Sequence, residues 1–235
     1  MRPLYGATLD ALGTLTGVHL LDAGCGSGQA LADAATRGAV VHGVDATPEL
    51  LAVGRTRIPE ADLRVGDIQS LPFADGQFDV VTAFNAIQYA TDPAAAVQEL
   101  ARVCRSGGRV AVGIWGDPLQ CETEGLFARL RSLAPLPPGA PAPLALSDRG
   151  VLEALLDKAG LTAGSGGDVA VPFTFASLDE AWRAHASAGP VQKVIDAVGE
   201  PVVRRVVDTV LTADRKPDGT FRQDNVMRYL VTVKS

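Results

Sequence analysis

Residues 18–29 read V-H-L-L-D-A-G-C-G-S-G-Q, which is a short apolar run, an aspartate and then glycines at alternate positions. The apolar run predicts a buried strand, and the glycines predict a tight turn at its end. The residues that follow favour a helix that opens at Ser27 and stops at Gly38. This order of strand, glycine turn and helix is the start of an α/β fold.

Four more apolar runs alternate with helical segments up to Trp115. The second helix has Thr47 as a good N-cap and Pro48 in its first turn, and Asp92 starts the helix after the fourth run. This alternation implies right-handed crossovers and a doubly wound, mostly parallel sheet, which binds ligands at the carboxyl ends of its strands. The predicted strands after the first are 39–45, 63–68, 78–85 and 109–115.

Residues 116–235 have a different character. They hold a proline-rich connector at 134–143 and a helix that Ser147 caps and Gly160 ends. The other predicted elements are a helix within 116–133, a strand at 169–175, two or three helical segments within 178–213 and a final strand at 226–233. We interpret 1–115 as the ligand-binding core and 116–235 as the end of the core sheet with an inserted cap, at about 116–145 and 177–213, in one structural unit.

Composition narrows the class of protein. Of the 235 residues, 47% are hydrophobic and 20% charged, which is typical of a globular domain. The net charge of −6 gives no basic field for a nucleic acid. No apolar run reaches the ~18 residues of a membrane span and no signal peptide is evident, so we expect a cytoplasmic protein. Three cysteines without a C-x-x-C pair predict reduced thiols and no metal site.

The glycine loop and the aspartate before it select between ligand classes. Free N–H groups at the first turn of the helix favour an anionic group, whereas the carboxylate of Asp22 favours a cation. A nicotinamide dinucleotide needs the pattern G-x-G-x-x-G, but Gln29 breaks it. S-adenosylmethionine carries a sulfonium and an ammonium beside a carboxylate, and it therefore suits both features of the loop.

Two acids at later strand ends extend this site. Asp45 is placed to accept both ribose hydroxyls of a nucleoside. Its alternative role is to cap the helix that follows, although Thr47 already supplies a cap. Asp67 is placed to accept from the adenine amino group while the backbone of Ile68 contacts the ring, or else it stabilises a loop turn.

The combination of motifs resembles the catalytic core of class I S-adenosylmethionine-dependent methyltransferases, in the small-molecule branch called methyltransferase type 11. The matching segments lie within residues 18–115, in chain order L-L-D-A-G-C-G-S-G, G-V-D-A-T-P-E-L-L, V-G-D-I-Q-S-L-P-F, F-D-V-V-T-A-F-N-A-I-Q-Y and R-V-C-R-S-G-G-R-V. The resemblance implies a Rossmann-like sheet of seven strands with the last one antiparallel. Only 17 residues precede Val18, fewer than in most members, so we expect a more open site or a shortened lid.

The resemblance also implies a role for each matching residue. Asp22, Ala23, Gly24 and Gly26 surround the methionine part of the cofactor, with Cys25 and Gly28 in the same loop. Asp45 binds the ribose. The adenine lies against Ala46 and Leu50, with Asp67 and Ile68 at its edge, and the sulfonium lies above Asn85 and Ala86.

The methyl acceptor is harder to predict. Asn85 is not followed by Pro-Pro-aromatic and no Pro-Cys dipeptide occurs, which disfavours the adenine and cytosine of nucleic acids. A small-molecule acceptor is therefore expected, with S-adenosylhomocysteine as the product. Alignment and exclusion of water supply most of the catalysis of such an in-line displacement, and a base is needed only where the acceptor loses a proton.

His185, in W-R-A-H-A-S-A-G-P, is the candidate for that base, although a lone helical histidine is commonly structural, as we expect of His19 and His42. Residues that line the acceptor, or else only pack, are Gln88, Tyr89, Trp115 and Trp182. Two other functions stay open: an enzyme that uses the bound cofactor for a rearrangement or cyclisation, and a binding module without activity. A monomer or homodimer is expected in each case. Seventeen arginines against four lysines suggest a GC-rich bacterial genome.

Overall fold

The computed structural model, which describes residues 1–135 and 144–235, is a mixed α/β structure. The strands are β1 (His19–Ala23), β2 (Val40–Asp45), β3 (Asp62–Val65), β4 (Phe78–Phe84), β5 (Cys104–Trp115), β6 (Leu161–Ala170), β7 (Phe173–Phe175), β8 (Phe221–Gln223) and β9 (Val226–Lys234). The α-helices are α1 (Arg2–Leu12), α2 (Gln29–Ala35), α3 (Pro48–Arg57), α4 (Pro93–Val103), α5 (Glu122–Leu133), α6 (Val151–Lys158), α7 (Leu178–Ala186), α8 (Gly189–Val198) and α9 (Glu200–Ala213).

The described chain divides into two compact units. Unit 1 holds residues 1–115, 144–169 and 227–235, and unit 2 holds residues 116–135 and 170–226. The predicted core therefore takes in two later stretches of chain, one around α6 and β6 and one at β9. None of the helices in the described ranges is long and apolar enough to cross a membrane.

Unit 1 is built on a seven-stranded sheet in the order β3-β2-β1-β4-β5-β9-β6. The five strands from β3 to β5 are parallel to their neighbours, and β9 runs antiparallel to β5, with Arg109 opposite Val233 and Trp115 opposite Met227. The predicted Rossmann-like sheet with an antiparallel last strand is confirmed.

Helices cover both faces of this sheet because successive strand residues point to opposite sides. Leu20 and Val80 pack with α1, α2 and α3, whereas the next residues, Leu21 and Val81, pack with α4 and α6. The central strands are therefore buried on both faces and mostly apolar, with Asp22 of β1 and Thr82 of β4 as buried polar exceptions.

Unit 2 consists of α5, α7, α8 and α9 with the short antiparallel pair of β7 and β8. Apolar side chains at helical spacing, among them Leu126, Trp182, Val194 and Val207, form its core together with Phe221 of β8. The three helices α7 to α9 agree with the two or three segments predicted for this region.

Two predicted helix starts are wrong in detail, and a third helix starts where predicted but without the expected side-chain cap. α2 begins at Gln29 because Gly28 before it is left-handed, with φ 73°, and Ser27 instead accepts a hydrogen bond from Arg57. Thr47 precedes α3 but its side chain makes no capping hydrogen bond. The helix assigned to a Ser147 cap begins at Val151, after Gly150, whose N–H is bonded by the carboxylate of Glu153.

Two elements of unit 1 were not predicted. α1 precedes the first strand and buries Leu4, Leu9 and Leu12. β6 lies at the edge of the sheet, where the sequence L-T-A-G-S-G-G-D-V-A is mostly exposed and lacks an apolar run. Most of the proline-rich connector predicted at 134–143 lies outside the described residues.

Candidate functional site

The candidate site lies at the carboxyl edge of the sheet, where β1, β2 and β4 end side by side. Backbone N–H groups of Gly24 and Cys25 donate to the carbonyl of Val44, at 2.8 and 3.0 Å, so the loop after β1 is joined to the end of β2. The predicted glycine loop and the Asp45 that follows Val44 therefore lie next to each other.

Gly24 shows why the first loop needs a glycine. Its φ is 77°, and a Cβ added there would lie 2.4 Å from the Cβ of Ala86 in the loop after β4. The two loops are thus in direct contact, and no side chain fits between them. Ala23 before the loop is fully buried, and Gly26 after it lies against Leu50, whose Cδ1 would be 3.9 Å from an added Cβ.

Asp45 holds two loops together with its carboxylate. One oxygen accepts the N–H of Gly26 at 2.8 Å, and the other accepts the N–H of Thr47 at 2.8 Å. Asp45 itself, and not the Thr47 side chain, therefore supplies the polar contact at the start of α3. Each carboxylate oxygen has a further acceptor position, so Asp45 can also take the two hydroxyls of a ribose.

Asp22 is a carboxyl group in an apolar environment. It is 2% exposed, and its Oδ1 accepts the Thr82 hydroxyl at 2.7 Å. Burial raises the pKa of Asp22 to about 7, the hydrogen bond from Thr82 lowers it and the charge of Asp45 raises it. A cation bound nearby would stabilise the carboxylate and lower this pKa. Asp22 is therefore a group that favours a positively charged ligand.

Asn85 follows β4 in a conformation that few residues adopt. Its φ is 53°, in the left-handed region, and its N–H donates to the carbonyl of Gly113 in β5 at 2.6 Å. Asparagine tolerates this region better than most residues. The amide of Gln88 donates to Oδ1 of Asn85, so Gln88 holds the Asn85 side chain, in addition to the acceptor-lining role predicted for it.

The loop after β3 is fixed by a separate set of bonds. The carboxylate of the exposed Asp67 accepts the N–H of Gln69 at 2.8 Å, and Oε1 of Gln69 accepts the N–H of Asp92 at 2.7 Å. Asp67 thus makes the loop turn that was the alternative to adenine binding, and it stays exposed to a ligand. Ile68 is half-buried against the core, whereas Ala46 and Leu50 are exposed.

Tyr5 of α1 is a site residue that the sequence analysis missed. Its ring lies edge-on to Phe84 at the end of β4, with the centroids 4.9 Å apart. Burial raises the pKa of Tyr5, and the nearby carboxylates of Asp22 and Asp33 raise it further. The signal was present in residues 2–12, where a proline in the first turn and leucines on one face predict a helix.

The remaining predicted residues are distributed over both units. In unit 1, Cys25 is buried, and burial followed by the charges of Asp22 and Asp45 raises its thiol pKa, so it is a neutral packing group. Tyr89 is 56% exposed and Trp115 is buried at the end of β5. His185 and Trp182 lie in unit 2, both buried on α7.

The part of the sequence that forms this site matches a known protein family. Residues 21–112 match the family model described as a methyltransferase domain. This part of the chain therefore resembles a methyltransferase domain. The match runs from within β1 to within β5 and includes every predicted cofactor-binding residue.

Curated proteins match half or more of the chain at moderate identity. An uncharacterized protein of Mycobacterium tuberculosis is 38% identical over 149 residues, which are 61% of this chain and 52% of the relative. The demethylmenaquinone methyltransferase of Beutenbergia cavernae is 38% identical over 121 residues, 52% of this chain and 50% of the relative. The chain spans about half the length of the curated relatives it matches.

Solved structures share the fold over the whole chain. The YcgJ protein of Bacillus subtilis has a TM-score of 0.65 at 19% identity, covering 100% of this chain and 99% of its own. A geranyl diphosphate methyltransferase in complex with S-adenosylmethionine has 0.58 at 20%, covering 98% and 84%. The [4+2]-cyclase SpnF has 0.59 at 22%, covering 98% and 81%. At these identities the likeness establishes the fold alone.

Proposed function

We propose that the chain binds S-adenosylmethionine at the carboxyl edge of unit 1 and transfers its methyl group to a small-molecule acceptor, leaving S-adenosylhomocysteine. The observation that carries the proposal is the pair of acids on adjoining strands: Asp22, buried beneath the glycine loop, and Asp45, bonded to that loop. Two carboxylates and a loop with glycines at alternate positions suit a ligand with a cationic amino acid part and a ribose.

Each residue has a defined task in this proposal. Asp22 favours the positive charges of the ligand. Because Gly24 has no side chain where it meets Ala86, the ligand can lie close to the backbone of both loops. Asp45 accepts the ribose hydroxyls. α2 has only seven residues, so its dipole contributes less than a long helix would.

The adenine end of the ligand has more exposed contacts. Leu50 and Ala46 offer apolar surface to the base, and Asp67 and Ile68 lie at its edge. Asn85, held by Gln88, lies beside the reacting centre with Ala86. When bound, S-adenosylmethionine supplies an electrophilic methyl group, and the protein contributes alignment and exclusion of water.

A small organic acceptor is supported by the names of two similar proteins, demethylmenaquinone methyltransferase and geranyl diphosphate methyltransferase. It is also supported by the net charge of −6, which gives no general attraction for a nucleic acid.

The binding proposal is tested with Asp45→Ala. Loss of two charge-assisted hydrogen bonds should weaken S-adenosylhomocysteine binding by about 2–3 kcal/mol, or roughly 30- to 150-fold, in titration calorimetry. Asp10→Asn is the matched control, because Asp10 is an exposed carboxylate on α1 that pairs with Arg37. Equal affinity of Asp45→Ala and the control contradicts the assignment of this site.

A second function, use of the bound cofactor without methyl transfer, is favoured by the shared fold of the SpnF cyclase. Incubation with S-adenosylmethionine and candidate acceptors separates the two, since only methyl transfer releases S-adenosylhomocysteine. A protein that binds no S-adenosylmethionine at millimolar concentration would instead be a binding module of another kind.

A further inference from the structure

Asp22 of unit 1 is a buried acid without a cationic partner. It is 2% exposed, and no lysine, arginine or histidine of the described residues forms an ion pair with it. A carboxylate taken out of water is costly unless a positive charge pairs with it. The protein without ligand therefore favours the neutral acid at this position, and burial raises the pKa of Asp22 accordingly.

The titratable groups around Asp22 supply no positive charge. They are Tyr5 of α1, Cys25 of the glycine loop and Asp45 at the end of β2, with Asp33 of α2 acting on Tyr5. Burial raises the pKa of the Tyr5 hydroxyl and of the Cys25 thiol, so both groups are neutral. The other two are acids, so a positive charge beside Asp22 has to come from a ligand.

Thr82 of β4 can satisfy the carboxyl group in both of its charge states. Its Oγ1 lies 2.7 Å from Oδ1 of Asp22 and 3.4 Å from the carbonyl oxygen of Leu21. A hydroxyl rotates and is both donor and acceptor. It donates to Oδ1 of the carboxylate, whereas it accepts the O–H of the neutral acid and then donates to Leu21. A change of protonation at Asp22 therefore needs only the rotation of one hydroxyl.

The second oxygen of the carboxyl group is the one that a ligand can reach. Oδ2 accepts no hydrogen bond from the described residues, and it is not one of the fully enclosed atoms that lack a partner. The exposed 2% of Asp22 therefore includes this oxygen. Gly24 of the glycine loop is two residues away, at most about 7 Å along the backbone.

The vacant acceptor position at Oδ2 suits one of the two cationic groups of S-adenosylmethionine. An ammonium carries a positive charge and three N–H donors, so it can both pair with the carboxylate and donate to Oδ2. A sulfonium carries the charge but has no N–H. The observations therefore favour the ammonium of the amino acid part as the partner of Asp22.

We propose that the ammonium of S-adenosylmethionine displaces a proton from Asp22, so that the protein binds its cofactor with release of one proton. This inference rests on the proposed function. On binding, the O–H bond of Asp22 breaks and the proton passes to the solvent. Thr82 turns to donate to Oδ1 while the ammonium donates to Oδ2. No covalent bond to the ligand forms, and the new carboxylate balances the charge of the ammonium.

The exchange makes recognition of the amino acid part depend on pH. The pKa of Asp22 is about 7 without ligand, and the ammonium lowers it. Below pH 7 the ammonium competes with the proton, so the affinity falls as the pH drops. A nucleoside without an ammonium, such as 5′-methylthioadenosine, does not meet this competition. Preference for a ligand with a complete amino acid part is therefore greatest above pH 7.

Proton release is tested by titration calorimetry in phosphate and in imidazole, two buffers that differ in ionisation enthalpy. S-adenosylhomocysteine should release close to one proton at pH 6 and little at pH 8, and it should bind about tenfold more weakly at pH 6. 5′-Methylthioadenosine should release none and bind equally at both. Asp22→Asn, which mimics the neutral acid, should abolish the release and the pH dependence. Asp10→Asn, at an exposed acid of α1, is the control that keeps both.

The protonation of Asp22 is tested by ¹³C NMR of protein with labelled aspartate. Without ligand the carboxyl carbon of Asp22 should titrate near pH 7, and saturation with S-adenosylhomocysteine should move the titration to lower pH. Thr82→Val removes the donor to the carboxylate and should move it to higher pH, whereas Thr82→Ser should restore the wild-type curve. These variants keep the acid, so they also serve if Asp22→Asn does not fold.

The outcomes separate this inference from the proposed function. An Asp22 that is already ionised at pH 6 without ligand overturns the inference. Binding of S-adenosylhomocysteine without proton release overturns it as well, and so does equal release from Asp22→Asn or from 5′-methylthioadenosine. Failure of both ligands to bind at either pH contradicts the proposed function instead, and the titration of Asp22 in the protein alone is still measured.

Discussion

The two units place their polar side chains in opposite ways. In unit 1 the polar groups Asp22, Asp45 and Asn85 lie at or just after the carboxyl ends of strands, at one edge of the sheet. In unit 2 the buried polar groups Thr123, His185 and Gln223 lie on two helices and a short strand that pack together. Unit 1 has a site on rigid strand ends, whereas the polar groups of unit 2 depend on the packing of several helices. The following predictions test this difference, from the largest expected effect to the smallest.

The contact between the two loops of unit 1 is tested with Gly24→Ala. The added Cβ collides with Ala86 and the residue must keep φ near 77°, so we expect a loss of roughly 3–4 kcal/mol in the free energy of unfolding. Gly17→Ala is the matched control, because Gly17 has φ 73° but open space around it. Urea denaturation should show a loss of only about 1–2 kcal/mol for the control. Equal losses would mean that the loops do not constrain each other.

The buried acid of unit 1 predicts a pH dependence. The pKa of Asp22 is about 7 in the folded chain and about 4 in an unfolded one, so folding favours the protonated form. The contribution of this group to stability is present below pH 4 and is lost as the pH rises towards 7. Between pH 4 and pH 8 the wild type should therefore lose roughly 2–4 kcal/mol relative to Asp22→Asn, measured by denaturation at each pH. If the stabilities of the two proteins changed with pH in parallel, folding would not raise the pKa of Asp22.

Inside unit 2, Asn225→Leu removes two buried hydrogen bonds. The N–H of Thr123 and the carbonyl of Gln223 lose their side-chain partners, so we expect a loss of about 2 kcal/mol in the free energy of unfolding. Gln192→Ala removes an exposed hydrogen bond to Ala186 and should change it by less than about 0.5 kcal/mol. Thermal denaturation followed by circular dichroism measures both variants. If both variants changed the free energy of unfolding by a similar, small amount, the polar groups around Asn225 would be in contact with water.

The smallest effect is expected for the protonation of His185. Because its folded pKa is lowered, the unfolded chain binds the proton more readily, and stability falls as the pH drops below about 6.5. The side-chain hydrogen bond with Gln223 opposes this shift but does not cancel it. His185→Gln should remove this part of the acid sensitivity in melting curves between pH 5 and pH 8. A wild type and variant that lose stability equally would show that the imidazole is already solvated.

Motifs predicted unit 1 well because its site depends on local sequence. A strand followed by D-A-G-C-G-S-G fixes the loop beside Asp22, and an acid at the end of β2 is placed by the strand itself. The fold class and the family resemblance are confirmed, whereas the roles of the individual site residues stay predictions. Tyr5 was missed because its place at Phe84 follows from how α1 packs on the sheet.

The burial of the polar side chains of unit 2 could not be predicted from the sequence. Thr123 and Gln223 are a hundred residues apart and meet only through the tertiary packing of α5 and β8. His185 stands out in the sequence, but nothing near it in the chain indicates that its side chain is buried beside β8. β6 was missed for a related reason, since its exposed, glycine-rich residues carry no periodic pattern.

The chain enters unit 2 and returns to unit 1 twice, and this has a consequence for engineering. β9 belongs to unit 1 and pairs with β5 from Arg109 to Trp115, yet it comes after all of unit 2 in the sequence. A fragment that stops at Trp115 therefore leaves residues 109–115 of β5 without their partner strand. Such an exposed sheet edge is prone to aggregation. Unit 2 is for the same reason not exchangeable as a terminal module, and a chimera that replaces it needs four splice points, one at each end of its two segments.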